Sequence, residues 1–274
     1  MNKYFILYNS IRLYRRHPLI HHTLMEKSIF KNTYLHLSLK VSVGVQIISA
    51  LIQFFPMFMS VPPSYIILKQ LLVLENIVQV IQGSFYAWLV SNIKSETNIT
   101  PKRYMDWVIT TPIMLITLIC YMIFLRGSSE SYVDIFSILR GNYAIISTIV
   151  ILNALMLLFG YLGEKNIIPL VWGVLIGFIP FIIYYYLIYN NFVKSHSNTG
   201  AGAGADADPT TANINTTILK LFLYFLFFWS LYGIVGLLPY YIKNTIYNIL
   251  DLFSKNFFGL LLSYLIITKS ITTS

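Results

Sequence analysis

Seven long apolar stretches, at about 34–58, 65–92, 101–125, 138–162, 168–192, 216–238 and 241–267, constrain this chain more than anything else in it. About 20 predominantly apolar residues cross a bilayer as a helix, and each stretch is long enough. Hydrocarbon offers no water to backbone N–H and C=O groups, so each stretch must satisfy its own, which a helix does. Composition agrees, with 57% hydrophobic and 11% charged residues, where a water-soluble domain usually carries about 25% charged. The expected fold class is all-α, a seven-transmembrane-helix bundle in a multi-pass integral membrane protein. No soluble domain and no internal repeat can be found, which argues against the large inverted-repeat transporters.

The remaining segments carry fewer constraints. Residues 1–31 hold six of the nineteen Lys and Arg residues and a single acid, Glu26, in a chain of formal net charge +9. A basic excess of this kind binds anionic lipid or acts as an address. No apolar core with a small-residue cleavage site follows, so an interfacial or targeting extension is expected rather than a secretory signal. Other basic residues are scattered over membrane-flanking positions, so no nucleic-acid partner is expected. Cys120 is the only cysteine, which excludes an intrachain disulfide. His17, His21 and His22 have no cysteine and few acids nearby, and no metal is expected. Residues 193–215 are rich in Gly, Ala, Ser, Thr and Asn and read as a flexible loop. The expected organisation is a basic extension over 1–31 and a membrane domain over 32–270, with the 193–215 loop between the fifth and sixth spans.

Within the last span, Lys255 falls close to the midpoint. A charged lysine there costs about 3 kcal/mol on insertion scales unless it is paired, neutralised or modified. Asp251 precedes it by four residues, on the same helix face one turn away. Two readings stand: a structural ion pair, or a reactive amine kept in apolar surroundings to form an imine with an aldehyde cofactor, Asp251 balancing the cation.

The third span opens on Pro101 and runs Arg103-Tyr104-Met105-Asp106-Trp107, then Thr110-Thr111-Pro112 and Thr117. Arg103, Asp106 and Thr110 share a face at spacings of three and four. This is either a buried Arg103–Asp106 salt bridge beside a proline kink, or the second carboxylate of a counterion to a protonated lysine. In the second span, Glu75, Gln79 and Gln82 also lie on one face. Such a stripe serves interhelical hydrogen bonding or lines a hydrated path.

Asp-Trp-x-x-Thr-Thr-Pro after Arg-Tyr in the third span, with Asp-x-x-x-Lys in the seventh, resembles the microbial (type 1) retinal-binding rhodopsins. The resemblance covers roughly 34–268. It implies all-trans retinal joined to Lys255 as a protonated Schiff base, with Asp106 as primary counterion and proton acceptor and Asp251 as second counterion. Arg103 would be the gate-side arginine, and Thr110 and Thr117 the other motif positions. It further implies that Trp107 and Trp229 sandwich the polyene and that Tyr232 bonds near Asp251. Thr111, Met156 and Gly160 would line the pocket, and Trp172 would close it. The second span, together with Asp251-Leu-Phe-Ser-Lys-Asn-Phe-Phe-Gly259, looks most like rhodopsins encoded by giant viruses of algae and protists, a group with light-gated cation channels and proton pumps.

The departures matter as much. Proton pumps carry an acid eleven residues after the counterion, where this chain has Thr117, and a threonine cannot readily reload an amine with a proton. Gly233 follows Trp-x-x-Tyr where pumps have proline. The expected function is a photoreceptor acting as a light-gated cation channel, its path running along the second, third and seventh spans with Glu75, Gln79 and Arg103 at constrictions. The alternatives are an outward proton pump with Asp106 as acceptor, and a transporter using Asp251 and Lys255 without a chromophore. No enzymatic activity is expected. Partners would be the lipid bilayer of a host plasma or internal membrane, the translocated cations or protons, and further copies of the chain.

Overall fold

A computed structural model of the chain describes residues 18–93, 98–127, 134–194 and 209–271, all of whose regular structure is helical. Helix α1 spans Pro18–Phe54 and closes in a 3-10 turn, Phe55–Phe58. Pro56 lacks the N–H that a continuing helix would use. A second 3-10 turn at Pro63–Tyr65 leads into α2, Ile66–Asn92. Helix α3 covers Thr100–Arg126, with Pro101 in its first turn, where a missing N–H costs nothing. Short α4, Ile135–Gly141, is capped by the Asp134 carboxylate, which accepts from the Ser137 N–H at 2.6 Å. Then follow α5, Tyr143–Glu164; α6, Leu170–Ile188, with a π turn at Tyr189–Val193; and α7, Pro209–Gly236. The seventh span is composite: α8, Tyr240–Asp251, a π turn at Leu252–Asn256, and α9, Phe257–Ile271.

Seven of these units are long and apolar enough to cross a membrane, from Thr33–Phe58 to Tyr240–Ile271. Three boundaries differ from the sequence expectation. The fourth span begins at Tyr143 rather than 138, because Asn142, at φ −122° and ψ 18°, separates it from α4. Helix α1 starts at Pro18, inside the stretch read as an extension; residues 1–17 lie outside the described residues. Helix α7 starts at Pro209, so it takes in 209–215, while 195–208 lie outside the described residues.

Large apolar side chains divide between two environments. One set forms a buried cluster linking Leu71 of α2, Leu118 of α3, Tyr184 of α6, Phe225 of α7 and Leu262 of α9. The other, including Leu51, Ile151, Ile182 and Tyr264, faces outward over the whole bundle. A contiguous apolar exterior of this kind suits acyl chains rather than water. Helices α5 and α6 approach backbone to backbone: a Cβ on Gly173 would lie 2.8 Å from the Phe159 carbonyl oxygen and 3.0 Å from the Gly163 Cα. Small residues permit that contact, as in other membrane helix pairs. The turn joining them passes through Asn166 at φ 56°, a left-handed conformation that asparagine tolerates.

Candidate functional site

Between α8 and α9 the chain widens into the π turn that carries Ser254, Lys255 and Asn256, all buried. Such turns insert a residue into the helical register and free backbone carbonyls for other donors. Here the Tyr224 hydroxyl donates to the Phe253 carbonyl at 2.7 Å. The turn presents Lys255 to the bundle interior, where its Nζ hydrogen-bonds Asp106 Oδ2 and lies 3.7 Å from Asp251 Oδ1. All three side chains are almost completely buried. Buried ions are tolerated where they are paired and hydrogen-bonded.

Arg103 completes the charge balance, so two cations face two carboxylates. Its partner is Asp251, at 3.4 Å, and the Arg103–Asp106 bridge that helical spacing suggested does not form. Spacing within α3 gives a shared face; the seventh span then decides which carboxylate the guanidinium meets. Arg103 Nε donates to Asn244 Oδ1 at 3.0 Å, and one terminal nitrogen donates to Asn248 Oδ1 at 2.5 Å. Asp251 accepts from the Tyr86 and Tyr232 hydroxyls, each at 2.7 Å. Asn244 donates to Thr100 at 2.9 Å, and Asn248 donates to Ser38 at 3.0 Å. This network joins α1, α2, α3, α7 and α8 on one side of Lys255.

Lys255 also lines a cleft with roughly 810 Å³ of empty space between its atoms, part of it open to the exterior. Trp107, Thr111, Met156, Gly160, Trp229 and Tyr232 all line it. Two walls depend on glycine: a Cβ on Gly160 would fall 2.6 Å from the Tyr104 hydroxyl, and one on Gly233 would fall 2.6 Å from the Phe178 ring. The result is a largely apolar and aromatic cleft with an amine in its wall, which fits an apolar aldehyde. Thr111 is held by Asn153 Nδ2, which donates to its hydroxyl at 2.7 Å.

Other expected site residues stand elsewhere. Trp172 does not close the cleft; it is 60% exposed on the outside of α6. The cleft-facing positions of that helix are Gly173, Val174, Gly177, Phe178 and Phe181, three or four apart along one face, which leaves Trp172 turned toward lipid. Thr110 donates to the Asp106 backbone carbonyl at 3.0 Å, and Thr117 donates to that of Ile113 at 2.9 Å. Thr117 lies next to Glu75. Gln79 donates to Asn256 Oδ1 at 2.7 Å.

Several residues were missed from sequence. Gln46 and Gln53 of α1 are buried, and with Gln82 of α2 their side-chain amides have no protein hydrogen-bond partner. Their spacing of seven along an apolar helix was the available signal. Lys243 bonds Glu164 at 2.6 Å and the Gly236 carbonyl at 3.2 Å, tying α5, α7 and α8 at the cleft's margin. Nothing in either residue's local sequence indicates the other.

A seven-helix membrane bundle whose interior holds a lysine among carboxylates, in the wall of an aromatic cleft, defines a narrow class. The family profile described as bacteriorhodopsin-like protein matches residues 33–269, and the chain belongs to that family, the microbial rhodopsins. Members are retinal-binding, light-driven ion transporters or sensors. Among solved structures, the chain is similar to the viral rhodopsin OLPVRII, at 24% identity and a TM-score of 0.68, covering 85% of this chain and 98% of that one. It is also similar to the rhodopsin of Exiguobacterium sibiricum, at 22% identity and TM-score 0.64, covering 88% and 97%. A third is the proton-pumping rhodopsin AR2 from the marine alga Acetabularia acetabulum, at 19% and 0.60, covering 86% and 96%. Among curated proteins, none matches the sequence.

Proposed function

We propose that the chain is a light-gated cation channel with retinal bound at Lys255. The membrane domain would be 32–270, with 1–31 a separate basic extension. Bound all-trans retinal would supply light absorption and a change of shape along its polyene. Trp107 and Trp229 would grip it from two sides, and Thr111, Met156 and Gly160 would shape the cleft. Asp106 and Asp251 balance positive charge at the Lys255 nitrogen, and Asp106, the nearer, is placed to take its proton.

One observation carries the channel reading: the buried amides of Gln46, Gln53 and Gln82 have no protein hydrogen-bond partner and sit, with Glu75, on α1 and α2, which pack against each other and against the seventh span, a polar seam on this reading. Buried polar groups without partners cost about 1–3 kcal/mol each, so a chain retains them where water or ions engage them. This moves the expected path: α1 joins α2 and the seventh span in lining it, while α3 contributes Arg103 as a barrier bonded to Asn244, Asn248 and Asp251.

A second reading, an outward proton pump, draws on the direct Lys255–Asp106 contact, which is a ready donor–acceptor pair. Voltage-clamped cells expressing the protein separate the two. A channel current under illumination reverses where the cation gradient dictates, whereas a pump current keeps its sign near zero voltage. Asp106→Asn is expected to change both the colour and the photocurrent.

A further inference from the structure

We infer that the aldehyde this cleft selects carries a hydroxyl on its ring, recognised by the Tyr104 hydroxyl and the Glu164 carboxylate. The inference rests on the reading of Lys255 as the aldehyde's anchor, and it names the kind of aldehyde that the same cleft prefers.

Ligand clefts are mostly apolar, and a few polar groups in their walls orient the ligand and select it. Most polar groups lining this cleft are already engaged by protein. Lys255 bonds Asp106, and Ser254 shares a hydrogen bond with Tyr232 at 2.7 Å. Thr111 accepts from Asn153 at 2.7 Å and donates to the Trp107 carbonyl at 2.8 Å. The Tyr247 hydroxyl donates to the Tyr232 carbonyl at 3.1 Å. Trp107 Nε1 lacks a partner, but it is wholly covered by protein and out of a ligand's reach.

Tyr104 and Glu164, which both line the cleft, are the exceptions. The Tyr104 ring packs edge-on against Trp107 at 4.9 Å and Tyr161 at 5.8 Å, while its hydroxyl bonds no described residue. That oxygen lies over Gly160, where a Cβ would come within 2.6 Å of it. Glu164 follows Gly160 by four residues, one turn along the same face of α5. Its Oε1 takes the Lys243 ammonium at 2.6 Å, and its other oxygen is engaged by no described residue. A phenol can donate or accept, whereas a carboxylate oxygen only accepts. A ligand group that serves both must accept once and donate once, which a hydroxyl does and a bare hydrocarbon ring or a carbonyl does not.

This polar zone stands apart from the anchor. Lys243, which holds Glu164, precedes Lys255 by twelve residues, about 18 Å along the span at 1.5 Å per residue. The two zones of the cleft wall are therefore spaced as the ring and the aldehyde of an elongated molecule are.

The test uses the retinal-free protein and two ring fragments, β-ionone and its ring-hydroxylated derivative, which carry the ring without the aldehyde. Quenching of tryptophan fluorescence reads their binding without light-driven activity, since Trp107 and Trp229 line the cleft. The hydroxylated fragment is expected to bind about tenfold more tightly or better, the effect of one hydrogen bond to a charged group. Tyr104→Phe keeps the ring and removes the hydroxyl; it is expected to cut that preference severalfold and to leave β-ionone binding unchanged. If that variant does not fold, competition between retinal and ring-hydroxylated retinal for limiting wild-type protein reads the same preference, with the hydroxylated aldehyde expected to prevail. Equal affinity of the wild type for the two fragments, or a preference that Tyr104→Phe leaves whole, overturns the proposal. A protein that forms pigment with retinal yet shows no preference overturns this inference alone. One that forms no pigment with either aldehyde overturns the reading of Lys255 on which it rests.

Discussion

The two sides of the Lys255 turn differ in how their polar groups are used. On the Arg103 side nearly every buried polar atom is engaged: the guanidinium bonds Asn244, Asn248 and Asp251, and Tyr86 and Tyr232 cap the carboxylate. On α1 and α2, in the proposed seam, the side-chain amides of Gln46, Gln53 and Gln82 are as deeply buried yet bond to no protein group. A saturated network holds one geometry, because loosening any bond strands a charge in a low-dielectric interior. A partnerless row has nothing to break and can accept water, ions or a proton without disrupting the fold. Under the proposed channel reading, one side is the barrier and the other the conduit.

Substitutions can sharpen or break this contrast. The largest effect is expected from Arg103→Ala, which leaves the Asp251 side chain short of a cation and should cost about 3–5 kcal/mol in unfolding of the purified protein. Asn248→Ala removes one bonded member of the same network and should cost about 1–3 kcal/mol. A network in which both changes are silent is not a barrier. In the seam, Gln82→Leu replaces a partnerless amide with an apolar group of similar size and should shift stability by less than about 1 kcal/mol. The same variant should cut photocurrent severalfold, which whole-cell recording under constant light would measure; an unchanged current would remove the seam from the ion path. Smallest of all, Trp172→Ala on the lipid face should move both stability and absorption maximum little, since surface substitutions away from special features stay within about 0.5 kcal/mol.

Most of the fold was legible because length and apolarity alone define a membrane helix; the seven spans fell close to their expected bounds apart from the break at Asn142 and the earlier starts of α1 and α7. The site was legible where spacing sufficed: Asp251 and Lys255, four apart, do lie side by side at 3.7 Å. Spacing cannot say which neighbouring helix a face meets, which is why it offered Asp106 as one possible partner of Arg103 and could not offer Asp251. Nor does a helix that is apolar all round, such as α6, declare its inner face, and Trp172 was misplaced for that reason. The π turn carries no residue pattern of its own, and single glutamines such as Gln46 and Gln53 stand out only once their burial is known.

The central claim is that one buried amine carries the light-absorbing group. Borohydride reduction of the pigment followed by peptide mapping tests it directly. The account predicts a retinyl mass on the peptide containing Lys255 and a colourless Lys255→Ala protein. A label on another residue, or an alanine variant that binds retinal and stays equally coloured, would contradict it.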